Sequence, residues 1–393
     1  MNAQRAAIAA AISFASVAAL AAAELDGAAG RALVNRVWIP APSSTDASDG
    51  LGPLFNARSC ATCHAKGGGA RIVVRSDGRR ELVGAVVRFG DARGATDPVY
   101  GLQLQIDAVP GMQPEGSAQF LPRLAFELPG GSLAAGVKAG ARLAQPLAGR
   151  AAFDDVTDDE IAMRADPEDL DRDGISGRVN RLPADGKMLV GRFGWKAAQA
   201  TLSDQIAHAF AIDIGLSSPR QPKPWGDCTP QEMACLAAPT GESPLLDGHE
   251  LSAQMIGLVA SYLDTLRPPE APQNSQAAEL FRTTGCAACH VPALTSQSGS
   301  PVPAFTDLLL HDMGPELDDG VGEPGVASSE WRTAPLIGRS FNAGSSRYLH
   351  DGSAATLDAA VRRHGGEANA SRQAFQGLAA RDRQRLIDYL GKL

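Results

Sequence analysis

Apolar residues follow three kinds of spacing along this chain. Ala6 to Leu20 is a nearly unbroken apolar stretch with Arg5 before it and Ala21-Ala22-Ala23 after it. A positive start, a short apolar core and a run of small residues make the pattern of a cleavable secretory leader, so residues 1–23 are expected to be removed. The apolar core is too short to span a bilayer, and no second run of spanning length follows, so no membrane span is expected. Leu258 to Leu266 and Leu386 to Leu393 repeat at helical spacing, and each amphipathic helix carries a Tyr-Leu pair near its end. Arg71 to Arg75 and Glu81 to Phe89 read as strands, separated by the hairpin signal Ser76-Asp77-Gly78. The stretch Arg267-Pro268-Pro269-Glu270-Ala271-Pro272 cannot continue a helix and marks a boundary.

Aligning the two predicted helices exposes an internal repeat. Leu54-Phe55 precedes Cys60-Ala61-Thr62-Cys63-His64, and Leu280-Phe281 precedes Cys286-Ala287-Ala288-Cys289-His290 at the same offset. Cys-x-x-Cys-His is the attachment signature of c-type haem: both sulfurs bond the porphyrin and the histidine becomes the proximal iron ligand. Two covalently bound haem c groups are therefore expected, on Cys60, Cys63 and His64 and on Cys286, Cys289 and His290. Tyr262 follows Cys60 by 202 residues, whereas Tyr389 follows Cys286 by 103, so the first unit carries an insert of about 100 residues. The expected fold is mainly α, with two cytochrome c-like domains at 24–268 and 269–393 and a β-containing insert at about 65–190 in the first.

Composition narrows the partners. With 44 acidic against 36 basic residues and a net charge of -8, the chain has no basic run suited to nucleic acid. Its charge is compatible with a small basic redox protein as electron donor. The leader and the haem signatures both point to the periplasm. Cys228 and Cys235 lack the Cys-x-x-Cys spacing of a redox dithiol, and in an oxidising compartment they are expected to form a structural disulfide. Asp169-Leu170-Asp171-Arg172-Asp173-Gly174 has the alternating carboxylates and glycine of a calcium loop, with Asp169, Asp171 and Asp173 as ligands. Asn180 stands where a bidentate Glu would close such a loop, so an acidic surface turn is the competing reading.

Several longer strings carry a family resemblance: Gly52-Pro53-Leu54-Phe55-Asn56, Phe193-Gly194-Trp195-Lys196, Phe305 to Gly314, Trp331-Arg332-Thr333-Ala334-Pro335 and Tyr348-Leu349-His350-Asp351-Gly352. With the two haem signatures, the layout resembles the bacterial dihaem cytochrome c peroxidases and their relative that matures methylamine dehydrogenase. It is most similar to the dihaem c-type oxidoreductases described as peroxidases or thiol oxidoreductases. The resemblance covers nearly all of the chain after the leader. It implies that Trp195, ten residues before Gln205, relays electrons between the haems, with Gln205 among the catalytic residues. Asp213, in Asp213-Ile214-Gly215, stands where the family has a proton-carrying glutamate before Met-Gly. Glu115, after Pro110-Gly111-Met112, is a second candidate acid. Thr333-x-Pro335 resembles the pair whose carbonyls hold calcium between the haems. The family's methionine ligand to the second haem corresponds to His364, so His290 and His364 are expected to ligate haem 2 at a lower potential than a methionine-ligated haem. His311 and His350 are expected to frame that haem through hydrogen bonds.

No histidine lies between His64 and His208. Met112, Met163, Met188 or His208 could close the first iron; otherwise its distal face is open, as peroxide needs. The resemblance then implies reduction of hydrogen peroxide at haem 1 with electrons relayed through haem 2. Two other readings stay open: an electron-transfer cytochrome without peroxidase activity, and oxidation of a protein or thiol substrate by high-valent haem. Homodimerisation stays open as well.

Overall fold

The computed structural model describes residues 21–393 except 46–47, 185, 269 and 340–346. Residues 1–20 of the expected leader lie outside the described residues; 21–23 begin a helix that runs to 35. Helix accounts for 30% of the chain and strand for 19%, and every strand described belongs to a two-stranded antiparallel sheet. None closes into a barrel.

The helices are set by caps and by an apolar stripe. Ser252 caps Ala253–Thr265 by accepting from the Met255 N–H, and Ile256, Val259 and Leu263 form its buried face. Thr201 caps Leu202–Ala209 in the same way, and this helix continues into a wider turn, Phe210–Ile214, that stops at Gly215 with φ 81°. Asn274 caps Ser275–Thr283, which buries Ala277 and Phe281, and Ala380–Leu390 buries Leu386, Tyr389 and Leu390. The helices that carry Tyr262 and Tyr389 both form where the spacing places them.

In the insert, Arg71–Val74 pairs with Arg80–Val83. The predicted strand from Glu81 to Phe89 is divided at Gly84, φ 87°, because the chain changes partner there: Ala85–Gly90 pairs instead with Lys138–Leu143, Ala85 opposite Leu143 and Gly90 opposite Lys138. The Ala144 N–H donates to the Gly84 carbonyl at 2.7 Å and the Ala70 N–H to the Ala144 carbonyl at 2.8 Å, which locks residues 143–146 beside the first Cys-x-x-Cys-His turn. Strand also continues beyond the insert, in Ala293–Thr295 with Pro301–Pro303 and Leu310–Asp312 with Glu330–Arg332.

Two repeat features fold differently. Leu280-Phe281 lies in a helix, whereas Leu54-Phe55, at the same offset from its motif, is a strand paired with Asp107–Ala108. The Asn56 and Ala57 N–H groups donate to the Asp213 carbonyl at 2.9 and 3.0 Å, so this backbone is already committed. That approach needs glycine on both sides: a Cβ on Gly52 would stand 2.5 Å from Gly215 Cα. The largest core gathers Leu33, Trp38, Phe153, Phe193, Ile206, Phe210 and Leu251 with Leu294, Val302, Leu308 and Leu309 from the second half. A smaller core joins Phe281, Phe305, Ile337, Phe375, Leu386 and Leu390.

Candidate cofactor cavities

Each Cys-x-x-Cys-His segment is a single helical turn opening on its own cavity. Ser59 caps Cys60–Cys63, accepting from the Ala61 N–H, while its hydroxyl donates to the Val34 carbonyl at 3.1 Å and ties the turn to the 21–35 helix. The first cavity, about 1630 Å³ with its mouth, is lined by Cys60, Cys63, His64, Arg88, Trp195, Gln205, His208 and Asp213 among others. The four motif cysteines are free thiols. Burial first, and then the Asp213 charge, push Cys60 and Cys63 up to about 12, so both are held protonated. Thiols held protonated in this way do not suit redox cycling.

Within this cavity His64 Nδ1 lies 3.1 Å from the Gly68 carbonyl; a carbonyl only accepts, so Nδ1 carries the hydrogen and Nε2 keeps its lone pair. Gln103 Nε2 donates to Asp213 Oδ1 at 2.8 Å. His208 Nε2 stands 3.5 Å from Arg88 Nη2, and burial, followed by the Arg88 charge, lowers its pKa to about 3. Sequence spacing brings Trp195, Gln205 and Asp213 to one cavity, as expected, but not Glu115. That carboxylate accepts from the Gln105 N–H at 2.5 Å and lies outside the cavity lining, where burial first and then Glu232 raise it to about 9. Met112 does not line the cavity, and Met163 and Met188 are exposed on the surface, so these three candidates for the first iron fall away.

The second cavity, about 1760 Å³, is lined by Cys286, Cys289, His290, His311, His350 and His364. His290 Nδ1 bonds the Phe305 carbonyl at 3.0 Å and His364 Nδ1 the Ala360 carbonyl at 2.9 Å, which frees both Nε2 atoms. Their ring centres are 6.5 Å apart. Two imidazoles bound to one metal ion at about 2.0–2.1 Å stand with centres roughly 6 Å apart, so one ion fits between them. His311 is held between Asp307 Oδ2 at 2.9 Å and Glu367 Oε2 at 2.6 Å. Burial opposes its charge, but these carboxylates outweigh it and raise the imidazole to about 12. His350 stacks on Trp331 at 3.7 Å, and Lys196 Nζ sits 3.5 Å over the other partner's ring centre, Trp331.

Leu143, Ala144, Gln145, Pro146, Arg150, Trp195 and Arg332 line both cavities. Trp195 is pinned in that wall by its Nε1 donating to the Leu143 carbonyl at 2.8 Å, and it meets His350 edge-on at 6.4 Å.

The two calcium expectations meet different surroundings: the Thr333 and Pro335 carbonyls are engaged by side chains, while two of the three expected aspartates converge. The Thr333 carbonyl accepts from Thr306 Oγ1 at 2.6 Å and Arg332 Nη1 at 2.9 Å, and the Pro335 carbonyl from Arg150 Nη2 at 3.3 Å. The Thr333 oxygen thus serves two of the chain's own donors and the Pro335 oxygen one. In the acidic loop, Asp169 and Asp171 converge with Asp166, not with Asp173. Asp173 instead accepts from the Ile175 N–H at 2.8 Å, and Asp169 from the Gly174 N–H at 3.2 Å, as in a self-capped turn. Cys228 and Cys235 form the expected disulfide.

Arg88 and Arg150 carry no motif in the sequence, and Lys196 stands unremarked beside Trp195. Arg332 was passed over inside a motif singled out for its neighbours. Their only sequence signal is a cation set among residues that the apolar pattern marks as buried.

Two adjoining cavities, each opened by a Cys-x-x-Cys-His turn and sharing one wall, define a protein built around a pair of haem-sized groups. The chain belongs to the di-haem oxidoreductase family: the family model described as "Di-haem oxidoreductase, putative peroxidase" matches residues 131–393. That span includes Trp195, Gln205, Cys286 to His290 and His364, and begins after His64. No curated protein matches the chain. One similar solved structure is the hydrazine synthase of Kuenenia stuttgartiensis pressurised with xenon, at 18% identity and TM-score 0.25, over 37% of this chain and 57% of that one; at that likeness it carries no argument. Among the described residues no helix is long and apolar enough to cross a membrane. The freed imidazole nitrogens and the free thiols fit the family's two haems.

Proposed function

We propose that this protein is a periplasmic c-type dihaem peroxidase made of two cytochrome c-like units, 24–268 and 269–393. In this reading Cys60, Cys63 and His64 hold one haem, and Cys286, Cys289, His290 and His364 hold the other. The observation that carries it is the inequality of the cavities. His290 is faced by His364 at 6.5 Å, whereas His64 forms no such ring pair among the described residues, no methionine lines its cavity, and His208, which does, is turned to Arg88 Nη2 at 3.5 Å. A closed centre suits electron transfer, and an open one suits a small oxidant.

The haem iron supplies the redox equivalents and the binding position for peroxide. The protein supplies placement and protons for the net change H₂O₂ + 2 e⁻ + 2 H⁺ → 2 H₂O, the electrons coming from a small redox protein. Trp195, lining both cavities, is the side chain placed to connect them. Gln205 offers a carboxamide to orient the oxidant. Asp213 has Oδ1 engaged by Gln103, which leaves Oδ2 to carry a proton between the two oxygens of peroxide. His208, held neutral by burial and Arg88, lines the same cavity.

The test combines spectroscopy and turnover on the haem-loaded protein. One high-spin and one low-spin haem are expected in the oxidised state, with peroxide reduction by a reduced small cytochrome. Trp195→Phe is expected to slow turnover on the order of tenfold or more at unchanged haem content. A wholly low-spin spectrum that peroxide leaves untouched would reject the peroxidase reading in favour of electron transfer alone.

A further inference from the structure

The wall between the cavities holds more positive charge than the described residues neutralise. Arg150 and Arg332 are 8% and 3% exposed and both line both cavities. Neither has a carboxylate within ion-pair distance among the described residues. Arg150 donates to the Pro335 and Ile337 carbonyls at 3.3 and 3.1 Å. Arg332 donates to the Gly194 and Thr333 carbonyls at 2.7 and 2.9 Å and to Gln145 Oε1 at 3.0 Å. The Nε atoms of Arg150 and, on the second-cavity side, Arg339 are buried without any partner. The carboxylate whose charge is felt at Arg332 is Asp307, but its oxygens bond His311 Nε2 and the Leu309 N–H. Burial first, then repulsion from Arg332 and Arg339, lowers the Arg150 guanidinium to about 9.

Burying an uncompensated charge costs several kcal/mol, and two such charges side by side compound it. The arrangement calls for an anion, and its position on a wall common to both cavities calls for one that each cavity can supply. Haem carries two carboxylates, and a planar guanidinium pairs with carboxylate through parallel N–H bonds. We propose that Arg150 and Arg332 form a shared seat for the carboxylate edges of the two haems, standing where a bridging metal ion would otherwise join them. The proposal rests on the two-haem reading. The Thr333 and Pro335 carbonyls, proposed for calcium from the sequence, accept from Arg332 and Arg150 themselves, which places both guanidiniums at that spot.

The experiment uses the full-length, haem-loaded protein as wild type, Arg150→Gln and Arg150→Lys. Haem content is read by haemochrome assay and both midpoint potentials by spectroelectrochemistry, with and without a calcium chelator. Arg150→Gln is expected to keep two haems and to shift both potentials negative, because loss of a nearby cation favours the oxidised, more positive centre. Arg150→Lys, which keeps the charge but not the fork, is expected to shift both potentials less than Arg150→Gln does, and the chelator to change neither potential. If Arg150→Gln loses haem, restoration by Arg150→Lys supports the seat, and equal loss in both variants overturns it. Unmoved potentials, a shift confined to one haem, or a chelator effect as large as that of Arg150→Gln also overturn it. Absence of two haems in the wild type would instead reject the dihaem reading itself.

Discussion

Replacing His311 by leucine removes the only positive group between two carboxylates in the second cavity's wall. The side chains of His311, Asp307 and Glu367 are 4%, 3% and 9% exposed, so water cannot take over the lost interactions. Glu367 keeps the Ser176 hydroxyl and the Asp312 N–H on Oε1 and the Ser176 N–H on Oε2, while Asp307 keeps the Leu309 N–H on Oδ1; what disappears is the compensating charge. Breaking a buried pair by deleting one partner costs about 3–5 kcal/mol, and that loss is expected here in urea unfolding followed by circular dichroism. Neutralising all three groups in His311→Leu/Asp307→Asn/Glu367→Gln is expected to recover at least half of it, since no buried charge is then left unpaired. The pH dependence carries a definite sign. His311 has its folded pKa raised from 6.5 to about 12, so its contribution is full below pH 6.5 and declines as pH rises towards 12. The stability gap between wild type and His311→Leu is therefore wider at pH 6.5 than at pH 9.5. A gap under about 1 kcal/mol, a gap that widens with pH, or a triple variant no better than the single one would refute the reasoning, given the usual 3–5 kcal/mol.

Two further outcomes follow from the same region and its neighbour. A Cβ on Gly177 would stand 2.5 Å from His311 Cε1, and that ring cannot retreat between its two carboxylates, so Gly177→Ala should cost about 1–3 kcal/mol of overpacking, read from thermal melting; an unchanged midpoint would count against the fixed ring. His364→Met replaces imidazole by thioether opposite His290, and should raise the potential of the second haem while leaving the first nearly unmoved, read by spectroelectrochemistry; a fall, or an equal change in both, would show that His364 is not its ligand.

The local parts of this molecule were legible in its sequence. Cys-x-x-Cys-His, the helices bearing Tyr262 and Tyr389 and the first hairpin each depend on residues a few positions apart. His364 was singled out by the family resemblance, and its ring centre lies 6.5 Å from that of His290. What the sequence withheld depends on partners brought from afar. Leu54-Phe55 has the same letters as Leu280-Phe281 yet forms a strand, because the following backbone is engaged by Asp213, more than 150 residues on. Thr333 and Pro335 offered carbonyls to calcium on paper, but a residue name does not disclose that Arg150 and Arg332 arrive first. Asp173 obeyed the calcium spacing, while left-handed backbone at Asp169 and Arg172, φ 48° and 61°, folds the loop back so that Asp166 takes its place. Glu115 sits at a plausible distance along the chain and on the far side of Gln105 in space.

The strand Lys138–Leu143 and the four residues from Leu143 to Pro146 belong to the segment that makes the first unit longer than the second. Counted by alignment, that segment is surplus; trimmed to match the shorter unit, the chain would keep both Cys-x-x-Cys-His turns and all its closing helices. It would also lose the Leu143 carbonyl that fixes Trp195, the Gln145 amide that steadies Arg332 and the partition on which both chambers lean. The added length is thus much of the masonry between two rooms, and a version of this protein made by deleting it would keep only Trp195 and Arg332 of the seven residues common to both.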